Sequence, residues 1–385
     1  MSAPSIQPGH PAQIPSRAMD EAIEVVCAKH IHQCLWLPPT ESHGKLRVTF
    51  ATTSNFSDNT LPVILFCPPM FGGRSLALHF DYLAKQTGVR LLCADRPGMG
   101  GSTPVPLNIR IQVWLEAVPV LLKHLQISHV SLVCHSAGTL YALNALYHFR
   151  EMLDPHAPYI GLLAPWVDNV HSHTALMNMA SILPTGVIDN LSRVTKFVNE
   201  RVVPVTSWSG GIVSSSMSLF KAEGASSDPG STTPAEKYGV DNEVGKEIER
   251  LSTKCFFEED VTAGNEEAKL CLKKAGSGLW GTCEDYMEYV KLVNGREQQR
   301  LKSEPETDSA RTKLQLQVYF AESDALVGKA GQEYFDKCWQ QDDRYVQFET
   351  HELPGTDHDT ILLDYKKGAL RPIFEQVHKL YASPA

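Results

Sequence analysis

The chain has 385 residues, 43% of them apolar and 21% charged, a composition that excludes a disordered protein and suffices for a large core. Its net charge of −9 argues against nucleic-acid binding as the main activity, and it contains no apolar run of the ~18 residues that a membrane span needs. The opening MSAPSIQPGHPAQIPSR lacks the basic start and apolar stretch of a secretory leader. The nine cysteines are odd in number and mostly sit inside apolar runs, as buried free thiols do. The expectation is a soluble, cytoplasmic protein with no stable membrane insertion.

Residues 1–18, rich in Pro and Ser, read as a loose tail, followed by a short helix over Met19–Lys29. Ile31–Leu37 and Leu46–Thr52 flank a turn-like PPTESHGK and predict an antiparallel hairpin. Leu61–Cys67 (LPVILFC) is a short, continuous apolar run, the pattern of a strand buried on both faces. Helical spacing follows over Ser75–Gln86, then a buried run at Val89–Ala94. A helix over Ile109–Leu125, a run at Val130–Cys134, a helix over Ala137–His148 and a run at Tyr159–Ala164 continue the alternation. Strands separated by helices of this length require crossovers, hence an α/β fold with a mostly parallel sheet covered on both faces. The alternation stops after Trp166 and resumes at Leu314–Phe320, with a last strand at Tyr345–Leu353 and a helix over Ile361–Tyr381 interrupted near Pro372. Residues 168–313 between them read as a largely helical insertion over the carboxyl edge of the sheet. It is acidic over 237–308 and includes a Gly/Ser/Thr/Pro-rich segment, Lys221–Thr233, whose composition predicts a mobile loop. The divisions are therefore 1–30 for the tail and short helix, 31–167 and 314–385 for the core, and 168–313 for the insertion.

SLVCHSAGTLYALNAL is the most informative segment. An apolar run ends at Cys134, His135-Ser136-Ala137-Gly138 follows, and a helical pattern starts at once. So sharp a strand-to-helix turn lifts its hydroxyl clear of the sheet, and small flanking residues let strand and helix pass closely. With Cys134 at the first position, the string departs modestly from G-x-S-x-G; the alternative is an ordinary helix start with Ser near the cap.

Here the chain resembles an α/β-hydrolase-fold protein carrying an inserted cap. DRPGMGGS (Asp95–Ser102) is similar to the family's D-x-x-G-x-G-x-S loop, and APWV (Ala164–Val167) sits where the cap is usually inserted. AESDALV (Ala321–Val327) resembles the loop carrying the acid and LPGTDHD (Leu353–Asp359) the loop carrying the catalytic histidine. The resemblance covers about 31–167 and 314–381 and implies the chain order nucleophile, acid, histidine. Ser136, Asp324 and His358 satisfy it, each just past a predicted strand. Glu322 is the alternative acid. His351 is the alternative histidine, though it falls inside the predicted strand. Asp357 and Asp359 read as loop-capping groups.

A serine hydroxyl needs a neighbouring base to take its proton, and the base needs a carboxylate to orient it. The oxyanion needs two backbone donors, of which the residue after the nucleophile, Ala137, supplies one. The other comes from CPPMFGGR, where Pro69-Met70 stands in place of the family's H-G. Proline has no N–H, so Phe71 is the candidate and Met70 the runner-up. Met70, His135, His171 and Trp166 are weaker candidates for substrate contact. His171 with His173, and His30 with His32, lack the further ligands a metal site needs, so no metal and no cofactor is expected. Trp208, Trp280, Tyr286 and Tyr289 read as the insertion's own core, with an apolar pocket under the cap as the alternative.

Serine at the elbow implies acyl chemistry, with an ester or thioester of a small to medium, rather apolar substrate as the default. C–C bond hydrolysis, amide hydrolysis and acyl transfer use the same three groups, and a non-catalytic hydrolase-fold binding protein is the reading from a different class. The expected partner is a small-molecule, ester-like substrate; oligomeric state is not legible.

Overall fold

The computed structural model describes residues 17–193, 232–274, 276–303, 312–341 and 344–382. Eight strands form one sheet: β1 (Gln33–Leu37), β2 (Leu46–Thr52), β3 (Val63–Cys67), β4 (Arg90–Ala94), β5 (Ser131–His135), β6 (Tyr159–Leu163), β7 (Leu314–Ser323) and β8 (Val346–Asp357). Their spatial order is β1-β2-β4-β3-β5-β6-β7-β8. β1 and β2 form the antiparallel hairpin and β2 joins β4 antiparallel, whereas the other pairs are parallel. Every residue of β3, β4, β5 and β6 is buried. Because side chains alternate along a strand, Val63, Leu65 and Cys67 enter one core while Ile64 and Phe66 enter the other.

Four helices connect or flank the first six strands: α1 (Arg17–Val26), α2 (Leu76–Thr87), α3 (Arg110–His124) and α4 (Gly138–His148). Within residues 168–313, α5 (Asn169–Ser172), α6 (Ala175–Ile182), α7 (Thr185–Ile188), α8 (Pro234–Tyr238), α9 (Asn242–Glu258), α10 (Ala263–Cys271) and α11 (Tyr286–Ser303) follow. The last three are α12 (Gly328–Gln340), α13 (Thr360–Leu363) and α14 (Leu370–Ala382).

The described part of residues 168–313 shares its core with the rest of the chain. α9 lies against α1, and α11 packs against α12. The Tyr289 hydroxyl donates to the Leu143 carbonyl (2.7 Å) and that of Tyr286 to the Trp166 carbonyl (2.7 Å). Trp280, Tyr286 and Tyr289 therefore belong to the same apolar cluster as Leu140, Leu143 and Leu132 of the central layers. Trp208 and residues 221–231 lie outside the described residues.

Three local expectations change. α12 was absent from the predicted elements, since its Gly328, Gly331 and polar residues mask the Phe335, Cys338 and Trp339 that it buries. The carboxyl-terminal helix breaks before Pro372, over residues 364–369. There the Asp364 carboxylate accepts from the Lys366 and Lys367 N–H groups at 2.8 and 3.2 Å, and Pro372 falls in the first turn of α14, where a missing N–H costs nothing. β8 runs on past Leu353 to Asp357 through a register shift opposite Ala321 and Ser323, with Gly355 at φ +69°.

Candidate active site

β5 delivers Ser136 into a turn with φ +52°, a backbone region that L side chains rarely occupy, and α4 begins two residues later. The turn closes because Gly138 has no side chain. A Cβ there would overlap the Cys67 carbonyl and sit 2.7 Å from the Pro68 oxygen. The Ser136 N–H donates to the Leu163 carbonyl (3.0 Å), anchoring the turn to β6.

The Ser136 hydroxyl donates to His358 Nε2 at 2.9 Å, and His358 Nδ1–H donates to Asp324 Oδ2 at 2.7 Å. β7 extends to Ser323 and β8 to Asp357, so acid and histidine each follow immediately on a strand end, closer than the predicted boundaries implied. Asp324 Oδ1 accepts from the Leu326 and Val327 N–H groups, both at 2.9 Å, which fixes its plane. Burial opposes the Asp324 charge, but His358 and these donors hold its carboxyl below the ordinary range. Burial likewise opposes protonation of His358, and the Asp324 carboxylate outweighs it, raising the imidazole above its ordinary value.

The alternatives occupy other places. Glu322 Oε2 accepts from the Gly355 N–H (2.7 Å), bracing the bend that precedes His358. His351 is exposed on β8 and stacks on Tyr319, centroids 4.9 Å apart. Asp357 Oδ1 accepts from the Asp359 and Thr360 N–H groups at 3.1 and 2.8 Å, a loop cap. His135 is 1% exposed, and its Nε2–H donates to the His358 carbonyl at 2.7 Å. Burial and the neighbouring His358 push its imidazole down to about 3, which keeps it neutral. Trp166 donates its backbone N–H to Thr139 Oγ1 (3.2 Å) and its indole N–H to the Cys271 carbonyl (3.2 Å), joining elbow to insertion. His171 stacks on Tyr334 at 3.5 Å, and His32 hydrogen-bonds the Val26 carbonyl. Among the described residues, no three His, Cys, Asp or Glu side chains gather as a metal site would require.

Ala137 is fully buried at the head of α4, and Phe71 is 2% exposed on the loop after β3. Beside that loop lies a group no sequence signal marked. The Arg96 guanidinium is fully buried and donates to the carbonyls of Pro68 (2.9 Å), Pro69 and Met70 (3.0 Å). Only its position inside DRPGMGGS could have drawn attention to it.

All nine cysteines are free thiols, and among the described residues no helix is long and apolar enough to cross a membrane. The sequence matches the profile of the Alpha/beta hydrolase family over residues 64–367. No curated protein matches it significantly. An esterase crystallised as a point mutant superposes with a TM-score of 0.52 at 10% identity, covering 91% of this chain and 99% of its own. An alpha/beta hydrolase from a Medee basin deep-sea metagenome library gives 0.50 at 14% identity, covering 91% and 98%. A thermophilic esterase from Thermogutta terrifontis gives 0.49 at 13%, covering 90% and 99%. Likeness at such identities speaks to the fold and not to the substrate.

Proposed function

Because this chain belongs to the alpha/beta hydrolase family, we propose that it is a serine hydrolase, cleaving a carboxylic ester or thioester of a small to medium, rather apolar acid. The observation that carries the reading is the unbroken series Ser136 Oγ, His358, Asp324, with hydrogen bonds of 2.9 and 2.7 Å.

His358 takes the Ser136 proton as the oxygen attacks the carbonyl carbon. Asp324 keeps the proton of His358 on Nδ1, leaving Nε2 free to accept, and stabilises the imidazolium that forms. The negative charge that collects on the carbonyl oxygen is met by the N–H groups of Ala137 and of Phe71 or Met70. Collapse expels the alcohol or thiol, protonated by His358, and leaves an acyl group on Ser136. Water, deprotonated by His358, then releases the acid. This chemistry calls for no metal or cofactor.

Residues 168–313 are, in this reading, a cap. Ser136 and His358 are 4% and 3% exposed, so substrate reaches them only when cap segments move aside. The same burial favours a second reading, acyl transfer to an alcohol or amine, since little water reaches the acyl-enzyme.

Labelling with a fluorophosphonate should modify the wild type and vanish in Ser136→Ala. Hydrolysis of a p-nitrophenyl ester panel should follow the labelling, and added alcohol acceptors report the transfer fraction. Folded wild-type protein that resists the label and leaves every ester intact is no serine hydrolase. A vinylogous diketone cleaved in preference to the esters would move the assignment to C–C hydrolysis.

A further inference from the structure

Glu267 lies on α10, in the insertion, and is fully buried. Its carboxylate accepts from the Tyr141 hydroxyl at 2.5 Å and from Arg110 Nε at 3.0 Å, and pairs with Arg96 Nη1 at 3.4 Å. Arg110 is 1% exposed, and Tyr141 and Arg96 are fully buried, with the Arg96 guanidinium 4.9 Å from the Tyr141 ring centre. Two cations and one anion removed from water are costly unless geometry and hydrogen bonds compensate. Burial opposes the Glu267 charge, but Arg96 and Arg110 together hold its carboxyl below the ordinary range.

What the cluster touches gives it a task. Arg96 donates to the carbonyls of Pro69 and Met70, and no peptide bond among the described residues is cis. In a planar trans peptide the N–H points opposite to the C=O. Holding the Pro69 carbonyl therefore directs the Met70 N–H away from Arg96, and holding the Met70 carbonyl does the same for Phe71. These are the two candidate oxyanion donors. α10 meets the same loop a second time, because a Cβ on Gly264 would overlap the Phe71 ring.

We propose that Arg96 and Glu267 are positioning residues for the oxyanion donors, so that an insertion helix sets the geometry of the loop after β3. The proposal deepens the serine hydrolase reading and rests on it for its kinetic consequence. With α10 seated, Glu267 fixes Arg96 and Arg96 fixes the peptides at 69–70 and 70–71. Without the carboxylate, Arg96 keeps the loop carbonyls and the Tyr141 ring but loses its ionic partner, and the donors lose their aim.

The test uses the full chain with Glu267→Gln, the conservative Glu267→Asp, and Arg96→Lys, which keeps the charge and loses the fork. Amide hydrogen exchange at Met70 and Phe71 should quicken by about tenfold in Glu267→Gln and Arg96→Lys, as a locally loosened loop requires. On the p-nitrophenyl ester turned over fastest, kcat should fall by about tenfold or more while KM moves less than about threefold, the signature of an interaction made in the transition state. Affinity for a trifluoromethyl ketone, whose adduct carries the oxyanion, should fall in step with kcat, and Glu267→Asp should recover part of both. Wild-type exchange and wild-type kcat in a folded variant would overturn the proposal, as would a loss confined to KM. If Glu267→Gln does not fold, Tyr141→Phe removes one hydrogen bond to the same carboxylate and is read in the same way. Should the wild type resist the fluorophosphonate and leave every ester intact, the hydrolase reading falls, and the exchange measurement alone decides the coupling.

Discussion

At the scale of single residues, the site turns on opposing influences on His358. Burial disfavours its cation, and the adjacent Asp324 carboxylate more than offsets that, so it titrates above the ordinary 6.5. Only the neutral ring can take the Ser136 proton. Hence kcat/KM should rise with pH through a midpoint above 6.5, read from a pH–rate profile. Asp324→Asn removes the raising influence and leaves the burial. Its midpoint should fall below that of the wild type while kcat drops by about 10⁴-fold, as loss of the correct tautomer costs in comparable triads. Linkage runs the opposite way for stability. The protonated His358 pair contributes fully below 6.5 and is lost as pH rises through its folded value, whereas the Asp324 contribution is present above 3.8 and lost as pH falls through its folded value.

Among elements, the strand-turn-helix of β5 and α4 is the most constrained. Ser136 at φ +52° is tolerated because both flanks are clamped, by the Leu163 carbonyl on one side and by Gly138 against β3 on the other. Gly138→Ala should cost about 3 kcal/mol or more of stability in urea unfolding, because the atoms it meets are backbone carbonyls that cannot rotate away. The turn itself was legible from an apolar run ending in small residues. α12 was not, because glycines at 328 and 331 interrupt the helical pattern, and only the approach of the insertion shows why small residues stand there. Gly331 lies close to Ser172 of α5, and a Cβ on Gly328 would overlap Thr174. In the same way Trp280, Tyr286 and Tyr289 read as the insertion's own core, since nothing in their spacing says that two hydroxyls end on carbonyls of the central layers.

For the whole molecule, the depth of Ser136 makes access a property of the assembled chain. A small sulfonyl fluoride should inactivate the enzyme faster, relative to each reagent's reaction with an open serine hydrolase, than a bulky fluorophosphonate does. Equal relative rates would mean that no movement of the segments covering Ser136 limits entry. Nine free thiols, six of them buried, leave no covalent staple to reduce. The melting temperature should therefore be the same with and without reductant, measured by calorimetry, since stability rests on the two apolar layers around the sheet.

The sequence by itself determined the alternation of buried strands and amphipathic helices and the order in which Ser136, Asp324 and His358 occur along the chain. Such features are written in neighbouring residues, through periodicity, turn chemistry and strand ends. The tertiary structure decided which of several carboxylates and imidazoles face one another, where β7 and β8 end, and that Glu267 of the insertion meets Arg96 beneath the loop after β3. Those outcomes depend on how distant segments cross, and a charge on a helix gives no local sign of the partner that will bury it.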